Sequence, residues 1–343
     1  MVRYKEIAKD ANVSIATVSR VINNQGYVSE KSKKKVKESL EKLKYKSLSY
    51  FPDNEKTGVK EIVFFVEDLV NPFYIMVYRG MVKKAQQYDM RVVLCGKFDF
   101  DNIEHFSNGI VFSNEFIAQY YLKNYGKRND IFMMYLYTGS SFKLCQALPC
   151  VTVDMLEVLN KAIHYLRKKG KKKIWFASAV DDLDNIRIKA YMSKMEESML
   201  TPKVLYVDGL NVYNSDIDIV QTIKSLNSIG KDAFSIGQEI AKKYMQDLVV
   251  TEKVAVICFN DELALRMYAF LTGKGYRIPE KIALLGIDGC NSRKYIKNSL
   301  ATVDLFPEQQ GEKCIELMHE KASGRKVHYK NYIRPQIIEG ETV

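Results

Sequence analysis

From residue 61 onward, short apolar runs alternate with longer amphipathic stretches, and few folds accommodate that rhythm. The strand candidates are Glu61–Val66, Arg91–Cys95, Gly109–Ser113, Ile131–Tyr137, Lys173–Ser178, Val254–Phe259 and Ile282–Ile287. Between them, helical spacing runs over Phe73–Tyr88, Leu156–Lys169, Ile186–Met199, Asp261–Gly273 and Glu308–Ala322. Strand and helix repeating in this order predict doubly wound α/β layers, with parallel sheets covered by helices on both faces. In such layers ligands bind beyond the C-terminal ends of the strands.

At 343 residues the chain is too long for one ordinary core and predicts two or three domains. Hydrophobic residues make up 47% and charged residues 27%, the balance of a soluble globular protein. No apolar run reaches the roughly eighteen residues of a membrane span. The opening Met-Val-Arg-Tyr-Lys-Glu-Ile is polar and lacks the apolar stretch of a signal peptide, so the expected location is the cytoplasm. Six cysteines (Cys95, Cys145, Cys150, Cys258, Cys290 and Cys314) are scattered through mostly apolar segments without CxxC or CxxH spacing. They read as reduced core thiols, and neither a metal site nor a cofactor is expected.

The charge is uneven. Residues 1–50 hold twelve Lys or Arg and five Asp or Glu, and so carry seven of the eleven net positive charges. Concentration in so short a segment favours a polyanionic partner.

Three short helical patterns occupy that segment. In Tyr4–Ala11, Tyr4, Ile7, Ala8 and Ala11 form one apolar stripe. Asn12 follows, a residue that tolerates the left-handed conformation of a tight turn. Ser14 stands where an N-cap belongs for a second helix, Ile15–Asn23, with Val18, Val21 and Ile22 facing inward. Outward lie Ile15, Ala16, Thr17, Ser19 and Arg20, a small and nearly uncharged set. After Gln25-Gly26, a third helix from Lys31 to Lys44 buries Val36, Leu40 and Leu43 and exposes Lys31, Lys33, Lys34, Lys35 and Lys37. Two short helices about a tight turn, the second small and polar outside, form a helix-turn-helix. A plain three-helix bundle with a basic surface fits the spacing as well.

Ile7-Ala8, Ala11-Asn12-Val13-Ser14, Thr17-Val18-Ser19-Arg20-Val21-Ile22-Asn23, Val28-Ser29 and Leu43-Lys44-Tyr45 resemble the headpiece of the lactose/galactose-repressor family, ungapped over about 45 residues. Asn12 stands where that family usually has Gly. The resemblance implies a bacterial transcription regulator, expected to be a repressor of a metabolic, carbohydrate-related operon, and not an enzyme. It implies that Ile15 and Ala16 read bases, Ile15 against a thymine methyl. Ser14 and Thr17 are then phosphate contacts, Arg20 reads a base or phosphate, and Ser19 and Asn23 belong to the DNA-facing set. The implied partner is a near-palindromic double-stranded operator bound by a homodimer, since one headpiece reads too few base pairs alone.

The same resemblance implies a headpiece over 1–46, a linker over 47–60, a first core lobe over 61–170 and a second over 171–295. A return to the first lobe over 296–322 and to the second over 323–343 complete a two-lobed periplasmic-binding-protein-like core. In the family the linker forms a hinge helix whose Leu wedges into the minor groove. Here Asn54 occupies the wedge position and Pro52 precedes it, so a flexible linker is expected, with Tyr50 or Phe51 as substitute wedges.

Asn71-Pro72-Phe73-Tyr74, Asn260-Asp261, Gly286-Ile287-Asp288 and Leu300-Ala-Thr-Val303 are similar to landmarks of that core. In relatives the lobes close over a small effector, commonly a sugar or a purine. By position, Phe73 and Tyr74 would stack on it, Arg187 and Asp288 would bind its polar groups, and Phe234 would line the far side. Other readings stand beside these: Phe73 and Tyr74 as packing for their own helix, Asp261 as a helix N-terminal carboxylate, Arg187 and Asp288 as a structural pair.

An enzyme has little support. There is no GxGxxG after Val66, no P-loop and no GxSxG, and His105, His164, His319 and His328 lie in unrelated segments. The alternatives kept open are a core that answers to a protein partner such as a phosphorylated carrier, and one that has lost its ligand.

Overall fold

The computed structural model describes residues 4–22, 28–42, 60–96, 99–100, 108–128, 131–137, 147–180, 183–208, 233–251 and 253–343. The expected linker lies outside them, apart from Lys60. The described chain forms two units, a headpiece ending at Lys60 and a core from Glu61 on.

In the headpiece, α1 (Tyr4–Ala11), α2 (Ile15–Ile22) and α3 (Glu30–Lys42) pack around Ile7, Ala8, Ala11, Val18 and Val36. Asn12 turns the chain between α1 and α2 at φ 51°, the left-handed conformation an Asn adopts at low cost. Buried Ser39 donates to the Ile7 carbonyl at 3.4 Å, and Lys42 pairs with Asp10 at 2.6 Å across α1 and α3.

The described core contains two six-stranded sheets. The first consists of β1 (Lys60–Val66), β2 (Met90–Gly96), β3 (Gly109–Phe112), β4 (Phe132–Tyr137), β5 (Cys150–Val153) and β11 (Lys330–Ile333), in the order β11-β5-β4-β3-β1-β2. The second consists of β6 (Lys173–Ala177), β7 (Val204–Leu205), β8 (Val254–Cys258), β9 (Ile282–Asp288), β10 (Ala301–Asp304) and β12 (Gln336–Ile338), in the order β12-β10-β9-β8-β6-β7. Among the described pairings of the second sheet, only β10–β12 is antiparallel. Every residue of β8 and β9 is buried, which is why these strands read as unbroken apolar runs: helices cover both faces.

Two helices of the first lobe, α4 (Pro72–Ala85) and Pro307–Ala322, cross with almost no separation. A Cβ on Gly80 would lie 1.9 Å from the Glu308 carbonyl oxygen, and one on Gly311 would lie 2.0 Å from that of Val77. Ion pairs Arg79–Glu308 (3.6 Å), Lys83–Glu312 (2.7 Å) and Lys84–Glu316 (2.9 Å) run along the crossing. A shorter helix, α5 (Glu115–Tyr125), packs against β3 and β4. No helix among the described residues is long and apolar enough to cross a membrane.

Strand pairing moves all three expected lobe boundaries. The helix α6 (Met155–Lys168), expected in the first lobe, packs on α7 (Ile186–Glu197) and on β10 and β12, so the first crossing falls at Asp154. The stretch from 296 was expected to return to the first lobe. Instead β10 sits in the second sheet, its buried Ala301–Val303 run held between β9 and β12, and the crossing follows Asp304. The stretch from 323 was expected in the second lobe; β12 does lie in the second sheet, but β11 pairs with β5 in the first, Tyr332 opposite Thr152, so the last crossing falls between β11 and β12.

Candidate DNA-reading helix and effector site

In the headpiece, Ser14 caps α2: its Oγ accepts the Thr17 N–H at 3.0 Å and lies 2.8 Å from Thr17 Oγ1. With Val18 fully buried, the helix is fixed in rotation, and Ile15, Ala16 and Arg20 stand exposed on its other side. Ile15 keeps 45% of its surface in solvent, an apolar side chain held outward. Thr17 is half-buried. The side chain of Ser19 and all of Asn23 lie outside the described residues. The helix sequence Ile-Ala-Thr-Val-Ser-Arg-Val-Ile carries no acidic residue, so no side chain of its own would repel a phosphate brought to its N-terminus. On α3, Ser29 caps, Lys33 pairs with Glu30 at 2.7 Å, and Lys31, Lys34 and Lys35 are exposed or half-exposed.

In the core, the C-terminal end of β1 leads through Glu67 to α4. Asn71 caps α4 by accepting the Phe73 N–H at 2.9 Å, with Pro72 in the first turn. Phe73 and Tyr74 are only 9% and 8% exposed and meet edge to face at 5.5 Å. Both belong to the main core cluster. Glu67 Oε2 accepts from Asn114 Nδ2 at 2.6 Å and from the Tyr74 hydroxyl at 3.5 Å.

The second sheet presents a denser polar site. Asn185 caps α7 and places Arg187 in its first turn, where it is only 7% exposed. The guanidinium lies 4.6 Å from the Phe259 ring centroid, and its Nη1 donates to the Phe259 carbonyl. Its Nη2 stands 3.8 Å from Asp288 Oδ1, beyond hydrogen-bond range, and its Nε is buried without a partner. Arg187 and Asp288 therefore face each other with hydrogen-bonding capacity unspent, which a hydroxyl accepting from one and donating to the other would use.

Asp288 ends β9 at φ 138°, a costly conformation for a residue with a side chain, and Gly289 follows at φ 79°. Burial pushes the Asp288 carboxyl well above the usual range; Arg187 opposes the shift, while Asp261, Glu262 and Asp304 reinforce it. Asp261, at the start of the Asp261–Gly273 helix, accepts from the Cys290 N–H at 2.7 Å and from Thr302 Oγ1 at 2.5 Å. Burial raises it to about 6 against those hydrogen bonds and one from the Gly289 N–H. The glycines of Gly286-Ile-Asp-Gly289 make this possible. A Cβ at 286 would sit 2.1 Å from Asp261 Oδ1, and one at 289 would sit 2.2 Å from Asp304 Oδ1.

Asp304, Phe306 and Phe259 belong to this site and were not singled out in the sequence. Asp304 is the register partner of Asp288 on the neighbouring strand. Its Oδ1 accepts the Phe306 N–H at 2.7 Å and so holds Phe306 at φ 52°, a strained conformation for an aromatic residue. The pattern Asp-x-Phe-Pro directly after a strand was the available signal. Phe234 lies in the Ala233–Lys243 helix, but its side chain is outside the described residues. A cavity of about 60 Å³ lies beside Tyr137, Thr152, Asp154 and Ile186, the residue before Arg187. No cluster of metal-ligating side chains occurs among the described residues.

Residues 4–47 match the family described as bacterial regulatory proteins, lacI family, and residues 163–343, more than half of the chain, match the periplasmic binding protein-like domain. The HTH-type transcriptional regulator RegA of Clostridium saccharobutylicum is 23% identical, covering 98% of each chain. The HTH-type transcriptional repressor PurR of Photobacterium profundum is 22% identical, over 100% of this chain and 99% of that one. Among solved structures, a Lac repressor dimer bound to operator and the anti-inducer ONPF is similar, with a TM-score of 0.62 at 16% identity and coverage of 99% and 98%. The complex of the transcriptional regulator CelR with cellobiose is similar with a TM-score of 0.56 at 17% identity, covering 100% of both chains. The described relatives are transcriptional regulators spanning essentially the whole length, and the observed fold is theirs. The chain thus belongs to the lacI family of bacterial regulatory proteins: it is a DNA-binding transcription regulator with a helix-turn-helix headpiece and a periplasmic-binding-protein-like core.

Proposed function

We propose that this chain is a cytoplasmic repressor, without enzymatic activity, of a carbohydrate-related operon. It binds a near-palindromic operator as a homodimer and releases or tightens its hold when a small sugar occupies the space between its two core lobes. The observation that carries the effector reading is the facing pair of Arg187 and Asp288, both more than nine-tenths buried, 3.8 Å apart and with the Arg187 Nε unpartnered. A buried cation and carboxylate kept just out of contact at strand ends are costly for stability and are suited to a hydroxylated ligand. The cellobiose complex of CelR supports a sugar, and the operator-bound Lac repressor dimer supports the oligomer. Ile15 and Ala16 read bases, Arg20 a base or a phosphate, and Ser14 and Thr17 phosphates, with Ser19 and Asn23 beside them. Phe73 and Tyr74 wall the site from the first lobe, and Phe234 borders it.

The test is a thermal-shift screen of the full chain against sugars and nucleobases, repeated with Arg187→Ala and Asp288→Asn. A hit should raise the wild-type Tm by mass action and leave both variants unmoved, with operator affinity retained. An unchanged response midpoint in both variants would remove these residues from the effector site.

A further inference from the structure

Outside the headpiece, positive charge gathers at one end of the second sheet. The segments 167–173, 252–253 and 274–281 lead into β6, β8 and β9 and hold ten Lys or Arg against two Glu, a net of plus eight, whereas all other residues beyond 50 sum to minus four. Gly170 ends α6 at φ 78°, the Lys171 N–H donates back to the Leu166 carbonyl at 3.0 Å, and the chain turns through Lys171, Lys172 and Lys173 onto β6. Lys173 stands opposite Val254, and Val254 opposite Ile282, so the residues one step earlier, Lys172, Lys253 and Lys281, form a row across three neighbouring strands. With strands about 4.8 Å apart, the row spans about 10 Å. Lys253 takes φ 51°, which Asn or Gly would adopt at less cost. Half-buried Lys171 donates to the Pro279 carbonyl at 3.5 Å; burial and then Lys253 push its ammonium below the usual lysine range, against Glu280. Elsewhere in this lobe Asp184 neutralises Lys189 at 2.8 Å, Asp247 Lys203 at 2.6 Å and Asp208 Lys243 at 3.0 Å. At the strand starts Glu339 takes Lys169 at 3.1 Å, but Lys172, Lys173, Lys253 and Lys281 have no ion-pair partner among the described residues. Helix dipoles account for Lys168, Lys169 and Lys274, which stand at helix C-termini, and do not account for the row.

We propose that this end of the second sheet is a DNA surface additional to the headpiece, one that holds the phosphate backbone of a duplex without reading its sequence. Phosphates of one strand advance about 3.4 Å each along a duplex, so the row of Lys172, Lys253 and Lys281 faces about three of them. A row of separated cations suits an extended chain of charges better than a single phosphate. No large hydrophobic side chain of 167–173 or 274–281 is among the exposed ones, so the surface lacks both the apolar anchors of a bilayer-binding face and the rings on which single-stranded bases stack. Duplex DNA is the polyanion on which a regulator of this family already works. The Arg187–Asp288 site lies at the opposite ends of these strands, where Asp288 closes β9, so the two surfaces do not compete.

The experiment titrates the full-length protein against a fluorescent duplex of about 40 base pairs, arbitrary and non-palindromic in sequence, at salt from about 50 to 200 mM. The headpiece contributes equally to every variant, so differences report the core. The triple variant Lys172→Gln, Lys253→Gln, Lys281→Gln should bind about tenfold more weakly at the lower salt, and its slope of log affinity against log salt should be shallower by about 2–3. The same three positions changed to Arg should keep both the affinity and the slope. Lys172→Gln alone should reduce the slope by about 0.9, and this exposed single substitution decides the matter if the triple variant melts early. Lys189→Gln, whose lysine is paired with Asp184 in the same lobe, should change neither quantity. An unchanged slope in Lys172→Gln and in the triple variant overturns the inference and leaves the headpiece and effector readings intact, as does an Arg triple that binds as weakly as the Gln one. Vesicles with about 30% phosphatidylserine and poly(U) are titrated beside the duplex. If either binds more tightly than the duplex and loses that affinity in the triple variant, the row serves a membrane or a single strand and duplex DNA is ruled out.

Discussion

Gly286 and Asp261 form a pair whose energies can be worked from contacts. In Gly286→Ala the new methyl would lie 2.1 Å from Asp261 Oδ1 and 3.1 Å from Leu300 Cδ2. Neither helix nor strand can yield easily, since every residue of β9 is buried, so the Asp261 carboxylate must move. Moving it breaks the hydrogen bonds from the Cys290 N–H and Thr302 Oγ1, and each such bond to a charged group contributes about 1.5–3 kcal/mol. We expect Gly286→Ala to cost about 3–5 kcal/mol. Asp261→Ala alone loses the same hydrogen bonds but also relieves the burial of a charge, so it should cost about 2–4 kcal/mol. The informative variant is the double one. With no carboxylate left to collide with, the added methyl at position 286 fits, and the double variant should be more stable than the sum of the singles predicts by about 2 kcal/mol. Urea titration of the four proteins, followed by the fluorescence of Trp175, which sits in the second-lobe core, gives the three differences. Singles that add to within about 0.5 kcal/mol would refute the steric account of why Gly stands at 286.

Other outcomes follow from the same contacts. Arg20→Ala should weaken specific operator binding by about 1–3 kcal/mol at constant salt, and equal affinity of variant and wild type in a gel-shift titration would remove α2 from the groove. Ser14→Ala removes the cap on α2 and should destabilise the headpiece by about 1 kcal/mol, visible as a lower melting temperature of its helical signal. Asp261 is raised to about 6 from 3.8, so the folded state binds its proton more tightly than the unfolded one. Its contribution is therefore favourable at pH below about 4 and is lost as pH rises through about 6. Asp261→Asn should remove that segment of the stability–pH curve, and an unaltered curve would show the group ionised throughout. Finally, Asn54 at the wedge position predicts weaker operator bending than a leucine gives, which circular-permutation mobility of bound DNA would measure.

The headpiece was legible because its signals are local. The stripe Ile7, Ala8, Ala11 set one face, Asn12 marked the turn found at φ 51°, and Ser14 marked the cap. The buried strands β1, β6, β8 and β9 were legible because full burial writes itself as an apolar run. β11 was not: Lys-Asn-Tyr-Ile is an edge strand with two exposed and two half-buried residues, and only its pairing to β5 makes it a strand. β5 and β10 are apolar but four residues long, and their membership of opposite lobes is decided by partners more than a hundred residues apart for β11 and β5. Arg187 and Asp288 could be found by position. Asp304 could not, because its role comes from standing beside Asp288 across a strand pairing that no spacing along the chain reveals.

The three crossings between the lobes also set an order of assembly. Residues 60–153 reach the solvent early in synthesis, yet the first sheet still lacks β11 and α4 still lacks its partner helix Pro307–Ala322. The second sheet likewise waits for β10 and β12. Residues 301–343 thus complete both lobes only after everything before them has been made, at rates of about 5–20 residues per second. Until then α4 exposes the backbone groove around Gly80 that Glu308 later fills. The headpiece needs none of this, since its described apolar cluster lies within residues 7–36, so a nascent chain can hold its DNA-reading helix folded ahead of an unfinished sensor. A stop codon near residue 300 would remove a strand or two from each sheet at once, leaving a chain that still carries α2 but whose two core sheets are both incomplete.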